Sequence, residues 1–521
     1  MCPKDLEQIA TSIVDRCHGV PLAIVNIGGM LSLRQRLDTW TQKYNQLCEV
    51  STNDHVMDIV NLSYHDLSGD LRNCLVYCSL VPEGYPMSRE SLVRMWVAEG
   101  FVLSKEKNTP EVIAEGNLIE LIHRNMLEVV ENDELGRVSI CRMQDFVRKL
   151  AISVAKEERF ASVGGYSTIT LEQPDEDTRR LSLLGWIDET ALKVELPHLR
   201  TVLSLGVISS SANMLSSFWS ESNYLTVLEL QGSEVTEVPT SIGSLFNLRY
   251  IGLRRTMVRS LPDSIENLSN LHTLDIKQTR IRKLPRGIVK IKKLRHLLAN
   301  RYADEKQMEF RYFIGVQAPK ELSNLEELQT LETMESSFDL AEQLKKPMQL
   351  RSVWIDNISA AHCANLFSTL STMPLLSTLL LSARDENEAL CFEALKPSST
   401  YLHRSTGMLA PHMLNLTYLR LNNMSSAKTL VLSADSFPNL KTLVLKDMPD
   451  VSELKIIDGA LPCIEGLYIV SMSKLDKVPQ GIESLRSLKK LWLLYLHKDF
   501  RTQWDTEGMH PKMLHVPEVR V

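Results

Sequence analysis

Three segments of this chain superimpose on one another at a shift of 23 residues, and that recurrence limits the fold more than any other feature. Leu225, Leu228 and Leu230 return as Leu248, Ile251 and Leu253, and again as Leu271, Leu274 and Ile276. Val238-Pro239 returns as Leu261-Pro262 and Leu284-Pro285, followed at constant offsets by Ile242, Ile265 and Ile288, then by Leu245, Leu268 and Ile291. Each unit offers about seven apolar side chains, worth roughly 1.5–3 kcal/mol apiece when buried. Fixing its backbone costs roughly 1–2 kcal/mol per residue. A single unit is therefore unstable, and units must stack so that neighbours share buried faces. Along L-x-x-L-x-L the side chains alternate, leucines inward and the residues between them outward. The proline that follows has a fixed φ and no N–H, so it turns the chain away from the strand.

A period of this length with this core is the leucine-rich-repeat signature. It predicts an α/β chain that ends in a solenoid over residues 196–521, a horseshoe with a parallel sheet on its concave face. Arg179 to Leu184 begins the solenoid and Leu199 marks an atypical first repeat. Beyond Leu294 the spacing loosens, with cores at Leu350, Leu376, Leu416, Leu440, Ile464 and Leu488. The widest gap implies a loop insertion near Arg384 to Pro411.

Bulk properties narrow the function. A formal net charge of −6 over 521 residues argues against bulk affinity for nucleic acid. No run of 18 apolar residues exists, so no transmembrane helix is expected. Met1 to Asp15 is charged and helix-patterned, unlike a signal peptide. The nine cysteines are scattered and odd in number, which suits free thiols in a reducing cytoplasm.

Ahead of the repeats the pattern is helical. Leu6, Ile9, Ala10, Ile13, Val14 and Cys17 mark one face. His18-Gly19-Val20-Pro21 ends that helix, and a second, apolar one runs from Ala23 to about Leu33. Three more helical patterns lie between Val56 and Phe101, the last with Ser88 as N-cap and Trp96 in its core. A helical face continues through Leu118, Ile119, Ile122 and Leu127. Alternation around Val129 and Val138-Ser139-Ile140 then flanks Asn132 to Gly136 as a hairpin, and a helix resumes near Asp145, read as its cap. Three helices with a β-hairpin form a winged helix over residues 51–160. Residues 161–195 read as a polar linker.

Four short motifs stand in a telling order. Residues 17–24, C-H-G-V-P-L-A-I, resemble the GLPL motif of plant nucleotide-binding leucine-rich-repeat disease resistance proteins. Residues 74–82, C-L-V-Y-C-S-L-V-P, resemble that family's C-F-L-Y-C-A-x-F-P motif. Leu92 to Val102 is similar to the matching stretch of its coiled-coil subclass, and Met143-Gln144-Asp145 takes the place of its M-H-D motif. With the repeats, the resemblance covers nearly the whole chain. It implies that residues 1–50 are the C-terminal, helical ARC part of the nucleotide-binding NB-ARC module.

The resemblance also implies an ADP/ATP switch in intact relatives, with Gly19, Pro21, Leu22 and Gln144 at the family's ADP contacts and Pro21 against the adenine. The family's histidine is replaced here by Gln144, whose amide donates a neutral hydrogen bond and carries no charge. No G-x-x-x-x-G-K-[ST] stretch occurs, and without one phosphate loses most of its donors. The expectation is an N-terminally truncated receptor that binds no nucleotide and is not an enzyme. Its implied partners are a pathogen effector, a guarded host protein or full-length relatives. The alternative is a non-signalling repeat scaffold or decoy.

Other constellations carry a bland reading beside the sharp one. The candidate recognition helix offers Arg94 with Glu99 and no basic stripe, so DNA contact is not expected. Cys74 and Cys78 share a helix face but lack a second ligand pair, and buried thiols are the default over metal. Lys277 to Arg301 holds ten basic residues and no acid, whereas Glu106 to Glu134 is acidic. These are either two solvated faces or an intramolecular clamp through Arg282, Lys283 and Arg286. Between the inward leucines of the later repeats, Trp354, Tyr418, Arg420, Tyr468 and Trp492 form an expected exposed partner surface.

Overall fold

The computed structural model describes residues 6–32, 36–49, 55–103, 108–163, 174–183, 196–205, 222–302, 313–346, 349–384, 413–424, 428–432 and 437–521. Two compact units emerge, Met1–Glu234 with Asn247–Ile251, and Val235–Phe246 with Gly252–Val521. The expected insertion lies almost wholly outside the described residues.

The first unit opens with helices α1 (Glu7–Arg16), α2 (Pro21–Leu31), α3 (Leu37–Glu49) and α4 (His55–His65). His18 and Gly19 both take positive φ, at 51° and 73°, which reverses the chain so that Pro21 can occupy the first position of α2. Ile13, Cys17, Ala23, Ile27, Met30, Leu47 and Ile59 close a small core. Gly29 is required where α2 meets the end of a later helix. A Cβ there would stand 2.5 Å from the His123 carbonyl oxygen and 2.8 Å from the Arg124 Cα. Asp66, buried just beyond α4, accepts from Lys43 of α3 at 2.8 Å and from Arg124 at 2.9 Å. One carboxylate thus ties the opening helices to the module that follows.

That module is the winged helix: α5 (Gly69–Cys78), β1 (Met87–Ser88), α6 (Arg89–Glu99), α7 (Pro110–His123), the hairpin β2 (Leu127–Asn132) and β3 (Val138–Met143), then α8 (Asp145–Glu157). Asp133 closes the hairpin turn by accepting from the N–H groups of Leu135 and Arg137, both at 2.9 Å. The N-cap of α8 is Gln144, and Asp145 lies inside the first turn. The expected capping by Asp145 is therefore corrected, although its carboxylate still suits the positive end of the helix. Trp96 is fully buried, as expected of core.

The core of the winged helix runs without a break into Leu203, Val227 and Tyr250. Strands β4 (Ser162–Val163), β5 (Arg180–Ser182), β6 (Thr201–Leu203) and β7 (Val227–Glu229) pair in parallel, each with the next. The ladder thus starts at Ser162, within the stretch read as linker.

The second unit repeats one short strand per turn. Parallel pairing runs from Thr273–Lys277 through His296–Tyr302, Thr330–Glu335, Ser352–Ile358, Thr378–Ala383, Tyr418–Asn422, Thr442–Lys446, Gly466–Val470 and Lys490–Leu494 to Glu518–Arg520. The inward leucines are almost wholly buried, and Pro239, Pro262 and Pro285 each cap a 3-10 turn. Asn270, Asn415 and Asn439, each just before a first core leucine, donate to a carbonyl of the preceding repeat at 2.6–2.9 Å. Side-chain amides thereby satisfy backbone acceptors that no strand reaches.

Candidate functional site

The residues expected to face a nucleotide lie at two helix starts. Gly19 and Pro21 are exposed before and at the head of α2, and Leu22 is half-buried. Gln144 heads α8, where its Nε2 donates to Asn125 Oδ1 at 3.4 Å and its Oε1 is a buried acceptor without a donor. These residues offer one proline ring and one amide. They supply no cation, and the one amide donor is turned to Asn125, so the set does not by itself fit ADP.

Charge is concentrated instead where α6 ends. The Glu99 side chain is 0% exposed. It accepts from Arg180 Nε at 3.0 Å and Nη2 at 2.8 Å, and from the Thr201 hydroxyl. This fork-to-fork geometry is the strong form of ion pair. The Arg180 guanidinium lies over the Phe160 and Phe101 rings, at 4.1 and 5.1 Å from their centroids. Arg200 Nη2 and Arg249 Nη1 donate to the carbonyls of Glu99 and Ala98, both at 3.4 Å. The last carbonyls of α6 thus receive guanidiniums, which the negative end of a helix favours. Gly100 follows at φ 80°, a left-handed cap. Sequence reasoning used Glu99 only as an argument against DNA. Its signal was an acid directly before a helix-ending glycine in an otherwise apolar run.

Most of α6 from Leu92 onward is also buried. Arg89 pairs with Glu115 at 3.0 Å, and Arg94 with Glu90 at 3.2 Å. The acidic run is engaged inside the winged helix, where Glu120 meets Arg124, Glu128 meets Arg142 and Asp133 meets Arg137. Arg282, Lys283 and Arg286 are exposed in the second unit. Cys74, Cys78 and Cys141 are buried, and burial pushes the Cys74 and Cys141 thiols up to about 12.

The expected partner row is real in register but largely covered. Trp354, Leu380, Arg420, Val444, Tyr468, Trp492 and Arg520 succeed one another across the strands. Tyr418 lies two residues earlier along its strand, level with Thr378 and Thr442. The expected exposure is corrected: Tyr468 is 1% exposed, Arg420 6% and Tyr418 9%. Tyr468 folds back over Gly466, where a Cβ would meet its ring at 2.7 Å, and stands edge-on to Trp492 at 5.1 Å. Arg420 Nε donates to Asn422 Oδ1 at 3.0 Å. Trp492 Nε1 donates to Glu518 at 3.0 Å, with the Arg520 guanidinium 4.1 Å from its ring centroid. Trp354 and Trp492 are half-buried.

Among the described residues no helix is long and apolar enough to cross a membrane. A family model described as the disease resistance protein winged helix domain matches residues 80–151, and one described as a leucine-rich repeat region matches residues 201–410. The disease resistance protein RPM1 of Arabidopsis thaliana is 32% identical over 99% of this chain and 60% of its own length. The disease resistance RPP8-like protein 3 of the same plant is 26% identical over 99% of this chain and 61% of its own. The chain therefore spans about 60% of the length of these relatives. A leucine-rich-repeat protein of Leptospira interrogans is similar at a TM-score of 0.40 and 16% identity, covering 71% of this chain and 98% of that one. The chain is thus homologous over nearly its whole length to the Arabidopsis disease resistance proteins RPM1 and RPP8-like protein 3, and carries a winged helix of the disease resistance type followed by leucine-rich repeats.

Proposed function

We propose that this chain is the recognition and restraint portion of a plant immune receptor, acting in the cytoplasm. The row from Trp354 to Trp492 binds a pathogen effector or a guarded host protein. The observation that supports this is that Trp354 and Trp492, a side-chain type that dominates binding hot spots, remain half-buried rather than covered in that row. Half-buried Trp492, already braced by Tyr468 and Arg520, presents a rigid ring edge at low entropic cost. Restraint is set at Glu99, which fixes the winged helix to the first repeat strands. Reversing Arg282, Lys283 and Arg286 to Glu tests the restraint expected of that basic stripe: faster limited proteolysis supports it and unchanged cleavage rejects it.

The second reading is a repeat scaffold or decoy that binds a partner, or a full-length relative, without switching. The poor fit of Gly19, Pro21, Leu22 and Gln144 to ADP favours it. Titration of the full chain with ADP separates the two. Tight binding supports a retained switch, and absence of binding supports the scaffold. Trp492→Ala tests recognition in either case: lost binding to a candidate effector with an unchanged melting temperature supports the row, and retained binding rejects it.

A further inference from the structure

The strand ladder at the start of the repeats places like positions side by side. Strands β5, β6 and β7 are in register through Arg180, Thr201 and Val227. Asp177, His198 and Tyr224 therefore align three residues before each strand, and Arg179 aligns with Arg200 one residue before. With strands about 4.8 Å apart, these side chains converge. They line a depression of about 400 Å³.

Its charge is unbalanced. Asp177 already meets Arg159 at 3.0 Å. Glu99 is satisfied by Arg180 and Thr201, and the Arg200 Nε stands 3.9 Å from it with no hydrogen-bond partner. Arg200 Nη2 donates to the Glu99 carbonyl at 3.4 Å and the Nε is buried, which leaves Nη1 for a ligand on a side chain that is 43% exposed. Arg179 adds a second guanidinium. The His198 and Tyr224 rings, 6.2 Å apart, add a ring N–H, a hydroxyl and an aromatic wall.

We propose that this depression binds a small phosphomonoester. Its volume falls at the lower end of small-ligand sites and is too small for a folded partner. Two guanidiniums, that of Arg179 and the Nη1 end of Arg200, suit a tetrahedral dianion, which can accept from both at once. Because Arg200 also holds the Glu99 carbonyl, an occupied site and the end of α6 share one side chain. Binding and the stability of that junction are then coupled in both directions.

Calorimetric titration of the full chain with inorganic phosphate and with phenyl phosphate at low ionic strength tests this. Arg179→Gln and His198→Asn are each expected to weaken both ligands about tenfold, the loss of one charge-assisted contact. Both side chains are exposed, so thermal melts of the variants should match the parent. Arg286→Gln, in the distant basic stripe, should bind as the parent does. Tighter binding of phenyl phosphate assigns the rings a share, and equal affinities assign the contact to phosphate alone; either result supports the site. No heat at tens of millimolar ligand overturns the proposal, as does equal weakening by Arg286→Gln.

Discussion

Glu99, which no solvent reaches, meets buried Arg180 through two hydrogen bonds of 3.0 and 2.8 Å. One residue ends a helix of the winged module, and the other opens a repeat strand. Removing one partner of such a buried pair leaves an uncompensated charge, which typically costs about 3–5 kcal/mol. Glu99→Gln is expected to fall in that range by chemical denaturation. The double variant with Arg180→Met should recover part of the loss, and strictly additive effects would rule out direct coupling.

Adjacent glycines of α2 should respond with opposite signs. Gly29→Ala drives a methyl into the backbone at His123 and Arg124, with an expected cost of about 1–3 kcal/mol. Gly28 has open space around its would-be Cβ, so Gly28→Ala should stabilise by about 0.4–1 kcal/mol. Thermal denaturation of the two variants distinguishes these effects.

Gly466→Ala should eject the Tyr468 ring from its place over the strand. The expected result is a weakened near-ultraviolet dichroism signal from the Tyr468–Trp492 pair, with secondary structure retained. An unchanged aromatic signal would show that the ring does not depend on the missing Cβ.

The buried thiols make stability fall in alkali. Burial raises Cys74 and Cys141 from 9.0 to about 12 in the folded chain. The unfolded chain gives up these protons near pH 9.0, whereas the folded chain keeps them. Stability is therefore intact below pH 9 and declines between 9 and 12, by about 1.4 kcal/mol per pH unit per thiol. Replacing both cysteines with alanine should reduce that decline without abolishing it, because burial also raises the Cys78 thiol. A thiol reagent should modify exposed Cys48 and Cys463 quickly and leave Cys74, Cys78 and Cys141 untouched until unfolding.

The repeats were legible because burial enforces leucine at fixed steps, and the hairpin because Asn132 to Gly136 interrupts an alternating pattern. Other parts were hidden for definable reasons. The repeat at Leu328 escapes the pattern because a bulge at Thr333, φ 56°, shifts Met334 into the inward place opposite Ile355. Helix α3 carries only Trp40, Tyr44 and Leu47 as a narrow apolar stripe among polar residues. The row from Tyr418 to Trp492 was found by alternation, but its covering was not. Whether Tyr468 stands out or lies down depends on Gly466 beneath it, a relation between positions rather than a property of either. Glu99 stood out as an acid before a helix-ending glycine, but its partners were hidden for the same reason, since they lie 81 and 102 residues away.

Residue-resolved hydrogen exchange of the full chain, with and without Glu99→Gln, tests the coupling of the winged helix to the first repeats most directly. The account predicts that amides of Trp96–Gly100 and of β5 and β6 open with one shared free energy, and that the substitution lowers protection in both segments together. Strands β5 and β6 keeping their protection while the end of α6 alone loosens would contradict it.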